Sequence, residues 1–273
     1  MKLYRTSQGN FVEHEDKYFP LATTDWDTLL NAPDLLSIAR AATQGSPTAF
    51  DASTILAPIG TQEVWAAGVT YYRSRDARME ESKEVGGGTF YDRVYSAARP
   101  ELFFKSAGWR AVAPGGNVRI RVDATWSVPE PELTLVINNS GKLVGYTCGN
   151  DMSSRDIEGE NPLYLPQAKV YNGSCAIGPA VLLAEGAFDR ERTIELEILR
   201  NGQRAFHGAT TLNELKRDPA ELIEYLYREM DFPQGAYLMT GTGIVPPDDF
   251  TLNAEDVIRV TIQGIGTLEN TVR

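Results

Sequence analysis

The run Trp126-Ser127-Val128-Pro129-Glu130-Pro131-Glu132-Leu133-Thr134-Leu135-Val136-Ile137-Asn138-Asn139-Ser140-Gly141, continued by Leu143-Val144-Gly145-Tyr146-Thr147 and Gly149-Asn150-Asp151, decides how the chain is read. Leu133–Ile137 is rich in β-branched and aliphatic residues, and Asn138–Gly141 is a hairpin-type turn. Leu143–Thr147 reads as the returning strand, so the hairpin carries the Asp151 region back toward Glu130. In an extended strand, residues i and i+2 point to one face, which sets Glu130 and Glu132 side by side. Two like charges held that close are unfavourable unless a cation or a proton lies between them. Pro129 and Pro131 fix φ and remove amide donors, which predicts a sheet edge or rim.

With Asp151 as a third oxygen donor and no His or Cys nearby, the predicted ion is hard: Mg²⁺, or else Mn²⁺. The rival for Glu130 and Glu132 is a solvated acidic edge that deters sheet-to-sheet pairing. Arg155 and Asp156 follow closely and are read as a structural pair that orients the ligand loop. Glu158 is read as a solvated residue.

Outward from this hairpin, short β-rich runs dominate from Val64 onward. They include Leu102-Phe103-Phe104, Val118-Arg119-Ile120-Arg121-Val122, Val181-Leu182-Leu183, Ile194–Ile198 and Ile258–Ile262. Asn201-Gly202 is a second hairpin turn. One amphipathic helix is expected with Pro219 in its first turn and Leu222, Ile223, Leu226 and Tyr227 on one face. Residues 1–60 read as a small N-terminal domain, with strands at Leu3-Tyr4-Arg5 and Phe11-Val12. A helix capped near Asp25 follows there, broken or kinked at Pro33. Ala57-Pro58-Ile59-Gly60 connects to the catalytic domain, residues 61–273, and Arg73 to Gly88 reads as a mobile loop. Strands without a regular βαβ rhythm indicate an α+β, mainly β fold.

The 273 residues carry a net charge of −11 and 23% charged residues, an ordinary globular composition. That field repels polyanions and no Lys/Arg cluster offsets it, so no nucleic-acid partner is expected. No apolar run is long enough to span a membrane and the start lacks a secretory pattern, which predicts a cytoplasmic protein with no membrane partner. The two cysteines, Cys148 and Cys175, fit no metal spacing and are expected as buried inert thiols. His14 and His207 are the only histidines, which argues against a multi-histidine zinc site and leaves little room for a Ser-His-Asp triad. No GxGxxG or Walker-type loop follows a strand.

The order Glu130-x-Glu132, Gly145-Tyr-Thr-x-x-Asn-Asp-x-Ser-x-Arg-Asp156, Lys169, Thr240-Gly-Thr242 and Gly264-Ile-Gly-Thr-Leu-x-Asn270 resembles the fumarylacetoacetate hydrolase family over roughly residues 60 to 273. The resemblance implies that family's mixed β-sandwich roll, a homo-oligomer (a dimer or a dimer of dimers), and metal-ligand roles for Glu130, Glu132 and Asp151. Hydrolytic members carry a Gly-x-Asn-Tyr-x-x-His segment, and here Gly68-Val69-Thr70-Tyr71-Tyr72-Arg73-Ser74-Arg75 has no His. Carbon–carbon hydrolysis by the usual route is therefore not expected.

Pro100-Glu-Leu-Phe-Phe-Lys105 and Asn161-Pro-Leu-Tyr-Leu-Pro-Gln-Ala-Lys169 are similar to the family's 2-keto-3-deoxy-D-arabinonate dehydratase branch. What that implies is a Mg²⁺-dependent hydro-lyase acting on a 2-keto acid, a 2-keto-3-deoxy sugar acid, through a metal-stabilised enolate to give 2,5-dioxopentanoate and water. Glu101 and Lys169 are then the expected acid/base residues; the rivals are a permanent cation at Lys169 that neutralises the cluster and the substrate carboxylate, and a surface residue starting a strand at Glu101. Lys105 is a candidate substrate contact or a snorkelling strand lysine; Thr242 a donor to the substrate carboxylate or a turn former; Tyr71 a substrate contact or packing; and for Glu158, read as solvated, the resemblance implies a position near the pocket. The other readings are a different family reaction (acylpyruvate hydrolase, oxaloacetate decarboxylase or tautomerase) or a non-catalytic relative.

Overall fold

The computed structural model describes residues 1–71 and 94–273, so the expected loop from Arg73 to Gly88 lies outside the described residues. The strands are, in chain order, β1 (Lys2–Thr6), β2 (Gly9–His14), β3 (Lys17–Pro20), β4 (Glu63–Gly68), β5 (Glu101–Ala107), β6 (Asn117–Val118), β7 (Ser127–Val128) and β8 (Pro131–Ile137). There follow β9 (Leu143–Asp151), β10 (Ser153–Ser154), β11 (Cys175–Leu183), β12 (Thr193–Arg200), β13 (Gln203–Thr211), β14 (Ala236–Met239), β15 (Val257–Ile262) and β16 (Gly266–Val272). Among the described residues they build a nine-stranded sheet in the order β3-β2-β1-β11-β9-β8-β14-β4-β5 and a five-stranded sheet in the order β13-β12-β15-β16-β6. A short β10-β7 pair joins them.

Alternation along β8 explains the layering. Leu133, Leu135 and Ile137 join a core with Ile194, Leu196 and Ile198 of β12 and Ile258, Val260 and Ile262 of β15, so one face of the large sheet packs on the small one. Val136 points the other way, into a core with Tyr237 and Met239 of β14 and with Trp26, Leu29, Leu30 and Leu35 from the N-terminal helices. All seven residues of β8 are buried. A fully buried leucine such as Leu135 contributes about 1.5–3 kcal/mol.

Burial on both faces corrects half of one expectation: the Glu130 segment lies at a rim, where a mid-sheet strand begins, and not at an edge. β8 runs between β9 and β14 in mid-sheet rather than at an edge. Pro131 is accommodated because it is the strand's first residue, where its missing N–H takes nothing from the ladder. A second correction concerns Val118–Val122: only Asn117–Val118 pairs as a strand, and Val122 is 96% exposed. The Arg119 N–H instead donates to the Gly173 carbonyl, which leads the chain out of the sheet.

Residues 1–60 supply β1–β3 and two helices. β1 pairs with β11 (Leu3 opposite Val181), so the N-terminal unit extends the large sheet. The helix Trp26–Leu30 is capped by Asp25, whose side chain accepts from the Thr28 N–H, and Leu35–Ala42 starts anew behind Pro33 with Asp34 as its cap. The helix Pro219–Tyr227 begins on its proline as expected. The β8–β9 turn is tied by Asn138, whose side-chain oxygen accepts from the N–H groups of Ser140 and Lys142.

Candidate metal centre

The β8–β9 ladder assembles the site. Pro131 pairs with Asn150 and Glu132 with Gly149, and one step further Glu130 and Asp151 exchange both backbone hydrogen bonds, at 3.2 and 3.0 Å. Their side chains therefore start as cross-strand neighbours. Glu130, Glu132 and Asp151 are 5%, 2% and 1% exposed. Each offers an oxygen within 4.8 Å of the others. The structure brings together all three residues singled out in the sequence, and burial rules out a solvated acidic edge.

Each carboxylate is held from outside the cluster. The Gly241 backbone N–H donates to Glu132 Oε2 at 2.6 Å. Gly241 reaches that pose with a φ of +90°, and a Cβ there would lie 2.0 Å from Thr70 Oγ1, so a larger residue is excluded on two counts. Arg155 Nη2 donates to Glu130 Oε1 at 2.7 Å. Lys169 Nζ lies 2.6 Å from Glu130 Oε2 and 3.2 Å from Asp151 Oδ2. Lys105 Nζ sits 2.5 Å from Asp151 Oδ1 and also donates to the carbonyls of Met152 and Lys169.

Burial, followed by the charges of Asp151 and Glu130, pushes the Glu132 carboxyl well above the ordinary carboxylate range, against the pull of Lys169 and the Gly241 N–H. A site that so disfavours its own negative charge needs positive charge to complete it. All-oxygen donors and three converging carboxylates suit a hard divalent ion such as Mg²⁺ or Mn²⁺. The residues present fit such an ion.

Of the other candidates, Glu101 opens β5 opposite Gly68 of β4, and a Cβ on Gly68 would lie 2.0 Å from its Oε2. Gly68, Phe103, Lys169 and Thr242 line the same pocket as the three carboxylates. Thr242 is 4% exposed, and its hydroxyl exchanges hydrogen bonds with the backbone of Ile244 at 3.2 Å. Tyr71 is buried against Gly243, and desolvation together with the Glu132 charge raises its phenol. Cys148 and Cys175 are buried free thiols, as expected.

Three features escaped the sequence reading. Lys105 is fully buried and directed at Asp151. Arg155 grips Glu130, while Asp156 accepts from the backbone and hydroxyl of Thr125, so the expected mutual pair is replaced by two separate anchors. Glu158, expected in solvent, is 1% exposed and accepts from Ser153 Oγ at 3.0 Å. Its place three residues after Arg155, on the same helix face, was the available signal.

Residues 77–273 match the family described as fumarylacetoacetate hydrolase, C-terminal. The chain is 48% identical over 216 residues to a probable 2-keto-3-deoxyxylonate dehydratase of Haloferax volcanii, covering 79% of this chain and 73% of that protein. It is 42% identical over 221 residues to the 2-dehydro-3-deoxy-D-arabinonate dehydratase of Saccharolobus solfataricus, covering 80% and 74%. The solved apo structure of a 2-keto-3-deoxy-D-arabinonate dehydratase superposes with a TM-score of 0.86 at 35% identity, over 100% of this chain and 99% of that one. The same enzyme complexed with magnesium and 2,5-dioxopentanoate superposes at 0.84, with the same identity and coverage. With its carboxylate triad placed as the motif order requires, the chain belongs to the fumarylacetoacetate hydrolase family.

Proposed function

We propose that this protein is a Mg²⁺-dependent dehydratase that converts 2-keto-3-deoxy-D-arabinonate to 2,5-dioxopentanoate and water. The observation that carries the reading is the convergence of Glu130, Glu132 and Asp151 within 4.8 Å of one another, with Lys169 Nζ 2.6 Å from Glu130. The relatives support the substrate. In the D series, 2-keto-3-deoxyxylonate and 2-keto-3-deoxyarabinonate are one compound, because only C4 keeps its configuration; two relatives that share this fold are thus named for the same molecule.

Glu130, Glu132 and Asp151 hold the ion, with Mn²⁺ as the alternative. Bound there, it supplies a Lewis acid for the carboxylate and ketone oxygens of a 2-oxo acid. The chain's own residues do the rest. Lys169 and Glu101 divide the proton transfers, one accepting the C3 proton and the other delivering a proton to the departing C4 hydroxyl. A later proton shift from C5 completes the aldehyde, so one water leaves and no oxidant is required. Thr242, on the pocket wall, and Tyr71 orient the substrate. We read residues 1–60 and 61–273 as the two domains of each chain, and the chains as assembling in the cytoplasm into a homo-oligomer, a dimer or a dimer of dimers.

The test is incubation with Mg²⁺ and 2-keto-3-deoxy-D-arabinonate, following 2,5-dioxopentanoate with an aldehyde-oxidising coupling enzyme. Acylpyruvates and oxaloacetate run in parallel. Aldehyde formation that EDTA abolishes is the expected result. Turnover of the diketo acids alone would remove the dehydratase reading and leave a hydrolase or tautomerase.

A further inference from the structure

Two side chains of the helix Arg155–Glu160 face the site one turn apart. Arg155 reaches Glu130, and Glu158 holds Oε1 4.0 Å from Lys169 Nζ. The other Glu158 oxygen accepts from Ser153 Oγ at 3.0 Å, which fixes the carboxylate's direction. Among the described residues, Lys169 Nζ therefore has three carboxylates around it, at 2.6 Å (Glu130), 3.2 Å (Asp151) and 4.0 Å (Glu158). The two nearer ones belong to the triad; the third does not.

An ammonium and a divalent ion draw on the same carboxylate lone pairs and repel each other, more strongly where water is excluded. Close contact of Lys169 with Glu130 and Asp151 thus opposes ion entry. A carboxylate outside the triad relieves that opposition if the ammonium can lean onto it. About 1 Å of travel on the flexible lysine stem brings Nζ to an ordinary charge-assisted distance from Glu158.

We propose that Glu158 is a positioning residue that draws the Lys169 ammonium off Glu130 and Asp151, so that the triad can take a divalent ion. The proposal rests on the reading of the triad as a metal centre. Since coupling between two sites is reciprocal, the bound ion in turn holds Lys169 toward Glu158.

Calorimetric titration of the EDTA-stripped protein with Mn²⁺ tests this on wild type, Glu158→Gln, Lys169→Met and the double variant. Glutamine keeps the length and an oxygen for Ser153, and thermal melts establish that each variant is folded. Glu158→Gln should weaken ion affinity by roughly fivefold or more. Lys169→Met should bind at least as tightly as wild type, and adding Glu158→Gln to it should change nothing further. Unchanged affinity in Glu158→Gln overturns the proposal, as does an equal loss in the Lys169→Met background, which marks a direct charge effect. If wild type shows no saturable binding, the metal reading itself fails and this inference with it. Should Lys169→Met not fold, a crystal structure of the Mn²⁺-loaded wild type decides. Nζ closer to Glu158 than to Glu130 supports the proposal, and the reverse order overturns it.

Discussion

Replacing Lys105 by methionine separates two roles for this side chain. At 0% exposure its ammonium lies 2.5 Å from Asp151 Oδ1, and Asp151 is 1% exposed, so neither charge has water to fall back on. Removing one partner of a buried pair costs about 3–5 kcal/mol, because the other charge stays behind with less compensation; Asp151 keeps the 3.2 Å contact with Lys169 and loses the shorter one. The carbonyls of Met152 and Lys169 lose a donor as well. In a chain of this size 1 kcal/mol shifts Tm by roughly 2–4 °C, so Lys105→Met should melt about 6–20 °C below wild type. Circular-dichroism melts and steady-state kinetics on the same preparations are the assay. A lysine that merely touched substrate would instead leave Tm in place and raise KM. A Tm within about 2 °C of wild type, joined to a raised KM, would refute the argument from burial.

Gly68→Ala sets a methyl 2.0 Å from Glu101 Oε2 and forces that carboxylate aside. A displacement of about 1 Å should lower kcat by ~10²-fold with ion affinity and Tm near wild type, and unchanged kcat would clear Glu101 of a catalytic role. Because Glu132 has its carboxyl pushed above the ordinary value of 4.5, the EDTA-treated protein binds more protons folded than unfolded above that pH. Its stability should therefore fall as pH rises through the raised value, and Mg²⁺ should flatten the slope; pH-dependent melts with and without the ion check this. Burial pushes Cys148 and Cys175 up to about 12, so a disulfide reagent should titrate no thiol in the native protein and two in guanidinium.

Local signals carried much of this molecule. The i, i+2 spacing of Glu130 and Glu132 and the turn at Asn138–Gly141 were enough to foresee the triad, because side-chain alternation and hairpin return are properties of short segments. The helix cap at Asp25 and the helix start at Pro219 were legible for the same reason. What stayed hidden depends on distant partners. The prolines flanking Glu130 suggest an edge, but a strand end in mid-sheet satisfies the same chemistry, and the choice rests on β14, about a hundred residues away in the chain. Alternation in Val118–Val122 was misleading because, among the described residues, no partner strand pairs with it past Val118. Lys105 reads as a substrate contact or snorkelling lysine, Arg155 as the partner of Asp156 and Glu158 as a solvated charge; only the packed sheet and helices direct them to Asp151, Glu130 and Lys169.

The Asn138–Gly141 turn sits at the far end of the ladder that pairs Glu130 with Asp151. Eight residues of strand at ~3.4 Å each put it some 25 Å from the carboxylates, yet it sets their alignment. Surface loops ordinarily tolerate insertions. Here one added residue would slide β9 by a single step and send the Asp151 side chain to the opposite face of the sheet. The turn is a remote ruler for the ion site, and a length change there should behave in binding measurements like the deletion of a ligand.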